Sequence, residues 1–208
     1  YYPLLFRKIN INKHMSNLFQ KLEYEAFRAG ITPRTTQSRE WFMDKVKDMK
    51  NINRNTLMKE DPIQLKNRQV IGSMFMFFYD PKHKDTLPYY DSFPLVIVLK
   101  PADGGFLGLN LHYLPPVLRA KFLDSLLDVT SNKRYDESTK FNLTYKMLQS
   151  ASKYKYFKPC IKHYLTEHVV SRFAMVQAPE WEIAVFLPTA DFQKATTREV
   201  YRDSRGMI

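Results

Sequence analysis

The sequence predicts an α+β protein in which a small bent sheet, or an SH3-like, barrel-like β-core, carries packed helices. Three short apolar runs lie in the middle of the chain, at Val70–Asp80, Phe93–Lys100 and Gly104–Leu114. They are apolar on both faces and are separated by turn-rich stretches, which is typical of central strands or of a small closed barrel. Segments with helical spacing of apolar residues come before and after them.

The first residues of the chain predict a basic helical N-terminal extension. Leu18 and Leu22 fall on one helical stripe, and Gly30 stands where a C-terminal capping residue belongs. Helical spacing resumes over Ser38–Ile52. Asn53–Gln69 shows no clear period, so we interpret it as a linker.

Three helices and a hairpin are expected after the central strands, followed by a polar terminal helix or arm. The first helix is the clearest, because two prolines stand at its start and leucines recur at helical spacing. The second of the two later helices begins next to Pro159. In chain order these are helices over Leu114–Asp128, Phe141–Phe157 and Lys158–Val169, strands over Val169–Gln177 and Trp181–Pro188, and a terminal segment from Phe192.

These elements divide the chain into a basic helical extension (1–65), an α+β core domain (66–190) and a polar C-terminal tail (191–208). We expect the N-terminal helices to extend from the core and to serve as a docking arm. Tyr89, Tyr90 and Asp91 lie between Pro88 and an apolar strand. We interpret them as architectural, with Asp91 closing a turn onto its own backbone.

Composition limits the classes of partner. Of the 208 residues, 32 are Lys or Arg and 21 are Asp or Glu, a formal net charge of +11. Such a surplus favours polyanionic partners such as nucleic acid. Cys160 is alone, so there is no internal disulfide framework and a reducing compartment fits best. No apolar run approaches the ~18–20 residues that span a bilayer, so we expect no membrane partner.

Motifs for catalysis or metal binding are weak. Cys160, His163 and His168 lie close together, but their spacing matches no standard structural zinc pattern. Asp91 precedes a strand that ends in Lys100, yet the carboxylate cluster of a nuclease is missing, and no phosphate loop or nucleophile elbow is present. We therefore predict no enzyme activity, no metal, no cofactor and no small-molecule substrate.

The clearest functional pattern is a basic and aromatic segment from Ser131 to Arg172. It holds nine Lys or Arg against three acids, with tyrosines between them. Lysines neutralise phosphates, and aromatic rings stack on unpaired bases. The alternative is that the rings are buried while the lysines solvate the outer face. The DNA-binding residues that this pattern predicts are Lys146, Lys153, Tyr154, Lys155, Tyr156, Lys158, Lys162 and Arg172.

Three stretches carry a resemblance to a known family. They are GSMFMFFYDPKHKDTLPYYDSFPLVIVL from Gly72, GFLGLNLHYLPPVLRAKFLDSL from Gly105 and WEIAVFLP from Trp181 to Pro188. Together they resemble the DNA end protector family of tailed bacteriophages with contractile tails. The resemblance implies a virion protein on the ends of packaged linear DNA, which it shields from host exonuclease, and a role in finishing the head before tail joining. It brings no catalytic residues with it.

Three functions are weighed on these grounds. The leading hypothesis is a non-enzymatic virion protein, assembled in the host cytoplasm, that binds double-stranded DNA ends and contacts portal, neck or tail proteins. The alternative is a purely structural neck, tail or baseplate component whose basic face meets acidic proteins. A DNA-processing nuclease is disfavoured, because metal-assisted cleavage needs carboxylate ligands.

Overall fold

The computed structural model describes residues 18–50, 52–60, 64–130, 134, 136, 146–147, 150 and 155–207. The helices are α1 (Leu18–Arg28), α2 (Thr36–Lys45), α3 (Arg54–Leu57), α4 (Pro116–Thr130), α5 (Trp181–Ala184) and α6 (Thr197–Met207). The strands are β1 (Gln64–Lys66), β2 (Met74–Met76), β3 (Tyr90–Asp91), β4 (Leu95–Ala102), β5 (Gly105–Asn110), β6 (Ile161–Leu165), β7 (Phe173–Val176) and β8 (Phe192–Gln193). Short 3₁₀ segments cover Leu111–Tyr113, Lys155–Cys160, Thr166–His168 and Ala178–Glu180.

Six of these strands form one antiparallel sheet in the order β1-β7-β2-β4-β5-β6, and β3 pairs with β8 in a second small sheet. The large sheet is strongly bent. Phe106 on β5 and Phe173 on β7 have ring centroids only 6.1 Å apart, although β4 and β2 lie between their strands. In a flat sheet, three strand spacings would separate them by about 14 Å. The predicted α+β class with a small bent sheet is confirmed.

The concave face of the sheet is filled by aromatic rings, mostly in edge contacts that suit ring quadrupoles, with one stacked pair, Phe106 and Tyr164. The buried rings are Phe75, Phe77, Tyr79, Phe106, Tyr164 and Phe173. Glycines make room for this curvature. A Cβ on Gly105 would lie 1.8 Å from the Tyr164 carbonyl oxygen, and one on Gly108 would lie 2.2 Å from Val96 Cγ1. Side chains at these two positions would push β5 away from its neighbours.

The N-terminal helical segment is present and packs on the core. Phe19 and Leu22 of α1 and Phe42 of α2 are buried in the large apolar cluster that also contains the side chains on the convex side of the sheet. Gly30 follows α1 with φ +71°, and Ile31 N–H bonds the Ala26 carbonyl, which is the expected glycine-capped end. The division of the chain into three parts and the docking role of the first part stay predictions.

The helix expected over Lys158–Val169 is wrong. Pro159 lies inside a 3₁₀ segment, and the chain then enters β6, which pairs with β5 along its whole length. The pairing is favoured because Gly105 allows the backbone of Tyr164 to approach. Of the helix expected over Phe141–Phe157, Lys146, Met147 and Ser150 are helical, 155–157 are 3₁₀, and the other residues lie outside the described ones.

The second strand of the expected hairpin is also wrong, although the first is confirmed in β7. Trp181–Ala184 forms α5, which follows a capping box between Gln177 and Glu180. Every residue from Trp181 to Leu187 is buried. A segment that is buried on all sides has no polar face. The alternation of residue types in Trp181–Pro188 therefore could not distinguish a strand from a helix.

The interpretation of Asn53–Gln69 as a linker is wrong as well. Asn53 caps α3 by accepting a hydrogen bond from Thr56 N–H, and Gln64–Lys66 forms the edge strand β1 on β7. Edge strands are often short and polar, so the alternation of apolar and polar residues that indicates a strand is hard to see in them. The terminal helix is confirmed as α6. In the described part of the chain, no helix is both long and apolar enough to cross a membrane.

Candidate nucleic-acid interface

A buried polar cluster lies where the small sheet meets the large one, and we call it the Asp91 cluster: Asp91, Asn110, His112, Tyr164 and Thr189. Asp91 Oδ2 accepts from His112 Nδ1 at 2.7 Å and from Asn110 Nδ2 at 3.0 Å. Its Oδ1 accepts from two backbone N–H groups, those of Phe93 at 3.1 Å and Asp191 at 3.0 Å. The Phe93 bond is the turn that the sequence predicted for Asp91.

The protonation states in the Asp91 cluster follow from burial and hydrogen bonding. Burial lowers the pKa of His112, so the ring is neutral at pH 7. Burial alone would raise the pKa of Asp91, but His112, Asn110 and the Asp191 N–H together lower it. Asp91 is therefore a carboxylate, His112 Nδ1 donates to it, and His112 Nε2 accepts from Thr189 Oγ1 at 3.1 Å.

This hydrogen-bond chain has the order of a catalytic triad, yet it is closed to substrate. Asp91, His112 and Thr189 are 4%, 0% and 1% exposed. A nucleophile must reach the reacting atom, and the Thr189 hydroxyl has no open side. The arrangement is what a structural cluster needs, since a buried carboxylate is costly unless all its oxygens are bonded.

Within the stretch from Asp80 to Lys100, the part before β4 is held by this cluster and by the C-terminal part of the chain, whereas Leu95–Lys100 lies in β4 between β2 and β5. β3 pairs with β8, and Tyr89 contacts Asp203 on α6. Tyr89 and Tyr90 are both half-buried, and the fully buried residue of the three is Asp91. These contacts give the three residues partners within the fold, and their architectural role stays a prediction.

Arg119 fixes α6 to the rest of the molecule. Its guanidinium is buried and donates to the carbonyls of Leu114 and Val185, both at 2.7 Å, and to the Tyr201 hydroxyl of α6 at 2.6 Å. On the same side of α6, Val200 is fully buried. The helix is therefore docked along one face.

The predicted DNA-binding residues fall into different environments. Lys146 and Lys158 are exposed. Lys162 Nζ lies 3.9 Å from the centroid of the Tyr113 ring, and burial lowers its pKa. Arg172 is exposed and donates to the Leu65 carbonyl at 2.9 Å, beside β1. Lys158 and Lys162 lie close together in the chain near β6, whereas Arg172 lies beside the other edge in strand order.

The remaining predicted residues are only partly described. Lys153 and Tyr154 lie outside the described residues, and Lys155 and Tyr156 are described as backbone within the 3₁₀ segment. Phe157, next to them, packs its ring 5.0 Å from that of Phe122. The assignment of these residues to DNA therefore stays a prediction.

Cys160, His163 and His168 serve separate structural contacts. Cys160 is buried, and burial raises the pKa of its thiol to about 12. His163 Nε2 contacts the Asp103 carbonyl at 2.9 Å, and His168 Nδ1 contacts the Asp80 carbonyl at 2.8 Å. Within the described residues, no group of three or more metal-ligating side chains converges.

Sequence reasoning missed a second basic surface, on α6. Arg198, Arg202 and Arg205 are exposed and recur at i, i+4 and i+7, which places them on one side of the helix. We call them the α6 arginine stripe. The helical spacing of the three arginines is visible in the sequence, but the burial of Val200 and Ser204, which shows that the arginines lie on the solvent side, is known only from the structure.

Of the comparisons with known proteins, one identifies a family. Neither curated proteins nor solved structures gave a significant match. A family model described as the phage T4 terminal DNA protecting protein matches residues 7–204. Because this match covers nearly all of the 208 residues, the chain belongs to the phage T4 terminal DNA protecting protein family.

Proposed function

We propose that this protein binds the ends of linear double-stranded DNA in the virion and shields them without catalysing a reaction. The family match over residues 7–204 carries the proposal. The formal net charge of +11 supports it, because binding to a duplex depends chiefly on phosphate neutralisation. The closed geometry of the Asp91 cluster supports a non-enzymatic role.

We assign the DNA-facing surface first to the exposed residues of the basic segment, Lys146 and Lys158, together with Arg172. Lys153, Lys155 and the tyrosines Tyr154 and Tyr156 complete the proposed surface. Lys162 contributes less, since its ammonium is engaged with Tyr113. A tyrosine ring suits the recognition of an end, because only an end exposes the face of a base pair for stacking.

We further infer from the family that the protein acts late in head completion, before tail joining, and contacts portal, neck or tail proteins. We also propose that it is assembled in the host cytoplasm. These inferences go beyond DNA binding and need their own test. Co-purification of the tagged protein with heads from infected cells identifies its neighbours directly.

The decisive experiment compares linear duplex with nicked circular duplex of equal length, at two salt concentrations. The proposal expects tighter binding to linear DNA and slower exonuclease digestion of its ends. Equal binding to both forms, with no protection, would contradict end binding and favour the structural neck or tail component. The same assay with a Tyr154→Ala or Tyr156→Ala variant locates the ring, since loss of stacking should erase end preference and leave general affinity mostly intact.

A charge-reversal triple tests the surface. Lys153→Glu, Lys155→Glu and Lys158→Glu together should weaken binding to all sequences and flatten its salt dependence, because phosphate contacts carry no base information. The matched control reverses Lys47, Lys50 and Lys59, which lie on the N-terminal helical part. If both triples weaken binding equally, net charge is responsible and the assigned surface is wrong.

A further inference from the structure

The α6 arginine stripe has the features of an anion-binding surface. α6 turns Val200 and Ser204 into the core, and each is at most 1% exposed. Arg198, Arg202 and Arg205 project from the other side into solvent. They border an open groove of about 400 Å³, whose remaining lining residue is Glu199.

The acidic residues of α6 have their main partners outside the stripe. Glu199 closes a capping box with Thr196: its Oε2 accepts from Thr196 N–H at 2.7 Å and from the Thr196 hydroxyl at 2.8 Å. The backbone bond of this box lowers the pKa of Glu199, so its charge is used at the helix N-terminus. Asp203 is half-buried and contacts Tyr89.

The guanidinium groups are therefore poorly neutralised within the molecule. Arg202 Nε lies 3.5 Å from Asp203 Oδ1, a long contact on a mostly exposed side chain. For Arg198 and Arg205 the described part of the chain offers no hydrogen-bond or salt-bridge acceptor. Guanidinium suits phosphate because its planar donors bond two oxygens at once.

The geometry of the stripe matches the repeat of a DNA strand. Arg198 and Arg205 are seven residues apart, which is about 10 Å along a helix. Phosphates of one strand advance about 3.4 Å per base pair along the duplex axis, so the stripe spans about three steps. The platform is firm, because Arg119, Tyr89 and the capping box hold α6 in place. α6 also packs against the 3₁₀ segment that carries exposed Lys158.

We propose that Arg198, Arg202 and Arg205 form a phosphate-binding site that grips the backbone of one DNA strand beside its end. This site rests on the proposed function for its ligand and adds a surface outside the basic segment. Its contacts carry no sequence information, as protection of any terminus requires.

The test measures the dissociation constant of the full-length protein for a blunt-ended duplex against salt concentration. The variant combines Arg198→Gln, Arg202→Gln and Arg205→Gln. If three phosphate contacts are lost, the slope of log affinity against log salt falls by about 2.7, and affinity falls about tenfold or more at low salt. The control triple Arg28→Gln, Arg34→Gln and Arg68→Gln removes the same charge from exposed positions elsewhere.

A second variant replaces the three stripe arginines by lysine. It should keep most of the salt slope, because the charge remains, and lose part of the affinity, because the two-oxygen bonds are gone. Circular dichroism and thermal unfolding establish that α6 still folds in each variant. A glutamine triple that binds like the control triple overturns the phosphate site.

The outcomes separate this inference from the proposed function. If the wild-type protein prefers ends and the glutamine triple binds as the wild type does, the α6 site is wrong while end binding stands. If the wild-type protein binds linear and circular DNA alike, and the glutamine triple still loses salt slope, the phosphate site stands while end binding is wrong.

Discussion

The Asp91 cluster and the α6 arginine stripe represent opposite uses of polar chemistry. The cluster has the hydrogen-bond order of a catalytic triad, but every oxygen of Asp91 is bonded and the site is sealed. The stripe has no motif that a sequence scan would select, yet its cations face solvent. The comparison teaches that accessibility and unmet bonding capacity, more than residue identity, point to a binding surface.

The largest effect is expected at the buried carboxylate. Asp91→Ala should lower the free energy of unfolding by about 3–5 kcal/mol, because it leaves His112, Asn110 and two backbone N–H groups without an acceptor. Urea unfolding measures this change, and Asp85→Ala, on the exposed loop of the same stretch, is the control. A mutant that kept its stability and lost DNA binding would contradict the structural role of Asp91.

The second effect concerns Arg119. Arg119→Met should lower the free energy of unfolding by about 2–3 kcal/mol, since the buried carbonyls of Leu114 and Val185 lose their donor. It should also speed hydrogen exchange in α6, whose Tyr201 bond is lost. Lys121→Met, on the exposed side of α4, should do neither. Unchanged exchange in α6 would mean that Arg119 does not anchor the helix.

Acid should destabilise the protein in two stages. The folded-state pKa of His112 is lowered, so the unfolded chain binds the extra proton and stability is lost as pH falls below about 6.5. The slope for one proton is at most about 1.4 kcal/mol per pH unit. The pKa of Asp91 is also lowered, so its contribution is lost at still lower pH, below about 4.

Thermal unfolding from pH 7 to 5 measures the first stage. A His112→Asn protein should show a flatter profile over that range, while the exposed His83→Asn control should follow the wild type. An unchanged slope in His112→Asn would show that another group carries the acid sensitivity.

The smallest effect on stability is expected at the stripe. Arg198→Gln and Arg205→Gln should each change the free energy of unfolding by no more than about 0.5 kcal/mol, as is usual for exposed side chains without partners. Urea unfolding checks both variants. A loss of several kcal/mol would show that the stripe arginines stabilise the fold, as the Asp91 cluster does.

Most of the architecture could be predicted from local pattern. β4 and β5 could be predicted because they are apolar runs bounded by turn residues. α1 could be predicted because its apolar residues lie on one side and a glycine follows its end. The failures share a cause in tertiary context. β1 and β6 are edge strands with mixed polarity, so they lack the alternation of apolar and polar residues that indicates a strand. α5 is buried on every side, so it lacks the apolar stripe that indicates a helix.

The candidate sites were harder to predict, for the same physical reason. Asp91 was recognised through its turn, but His112, Asn110 and Thr189 join it only after residues far apart in the chain have met. The density of basic residues predicted a DNA-binding segment that contains both Lys158 and Lys162. In the structure, however, the Lys162 ammonium lies over the Tyr113 ring. The arginines of α6 were not predicted as a binding surface, because there are only three of them and only their exposure in the structure separates them from other arginines in the chain.

The bond from Asp191 N–H to Asp91 joins positions 100 residues apart and has a consequence for synthesis. While the chain is being made, Asp91 lacks the Asp191 N–H donor and His112 lacks the Thr189 donor until residues 189–191 leave the ribosome. The small sheet likewise forms only after β8 has been made, about 100 residues after β3, and contacts between residues so far apart in the chain form slowly. A chain that stops before Thr189 would therefore keep the strands of the large sheet but leave polar groups of the Asp91 cluster without their partners, so we expect it to be less stable than the full-length chain.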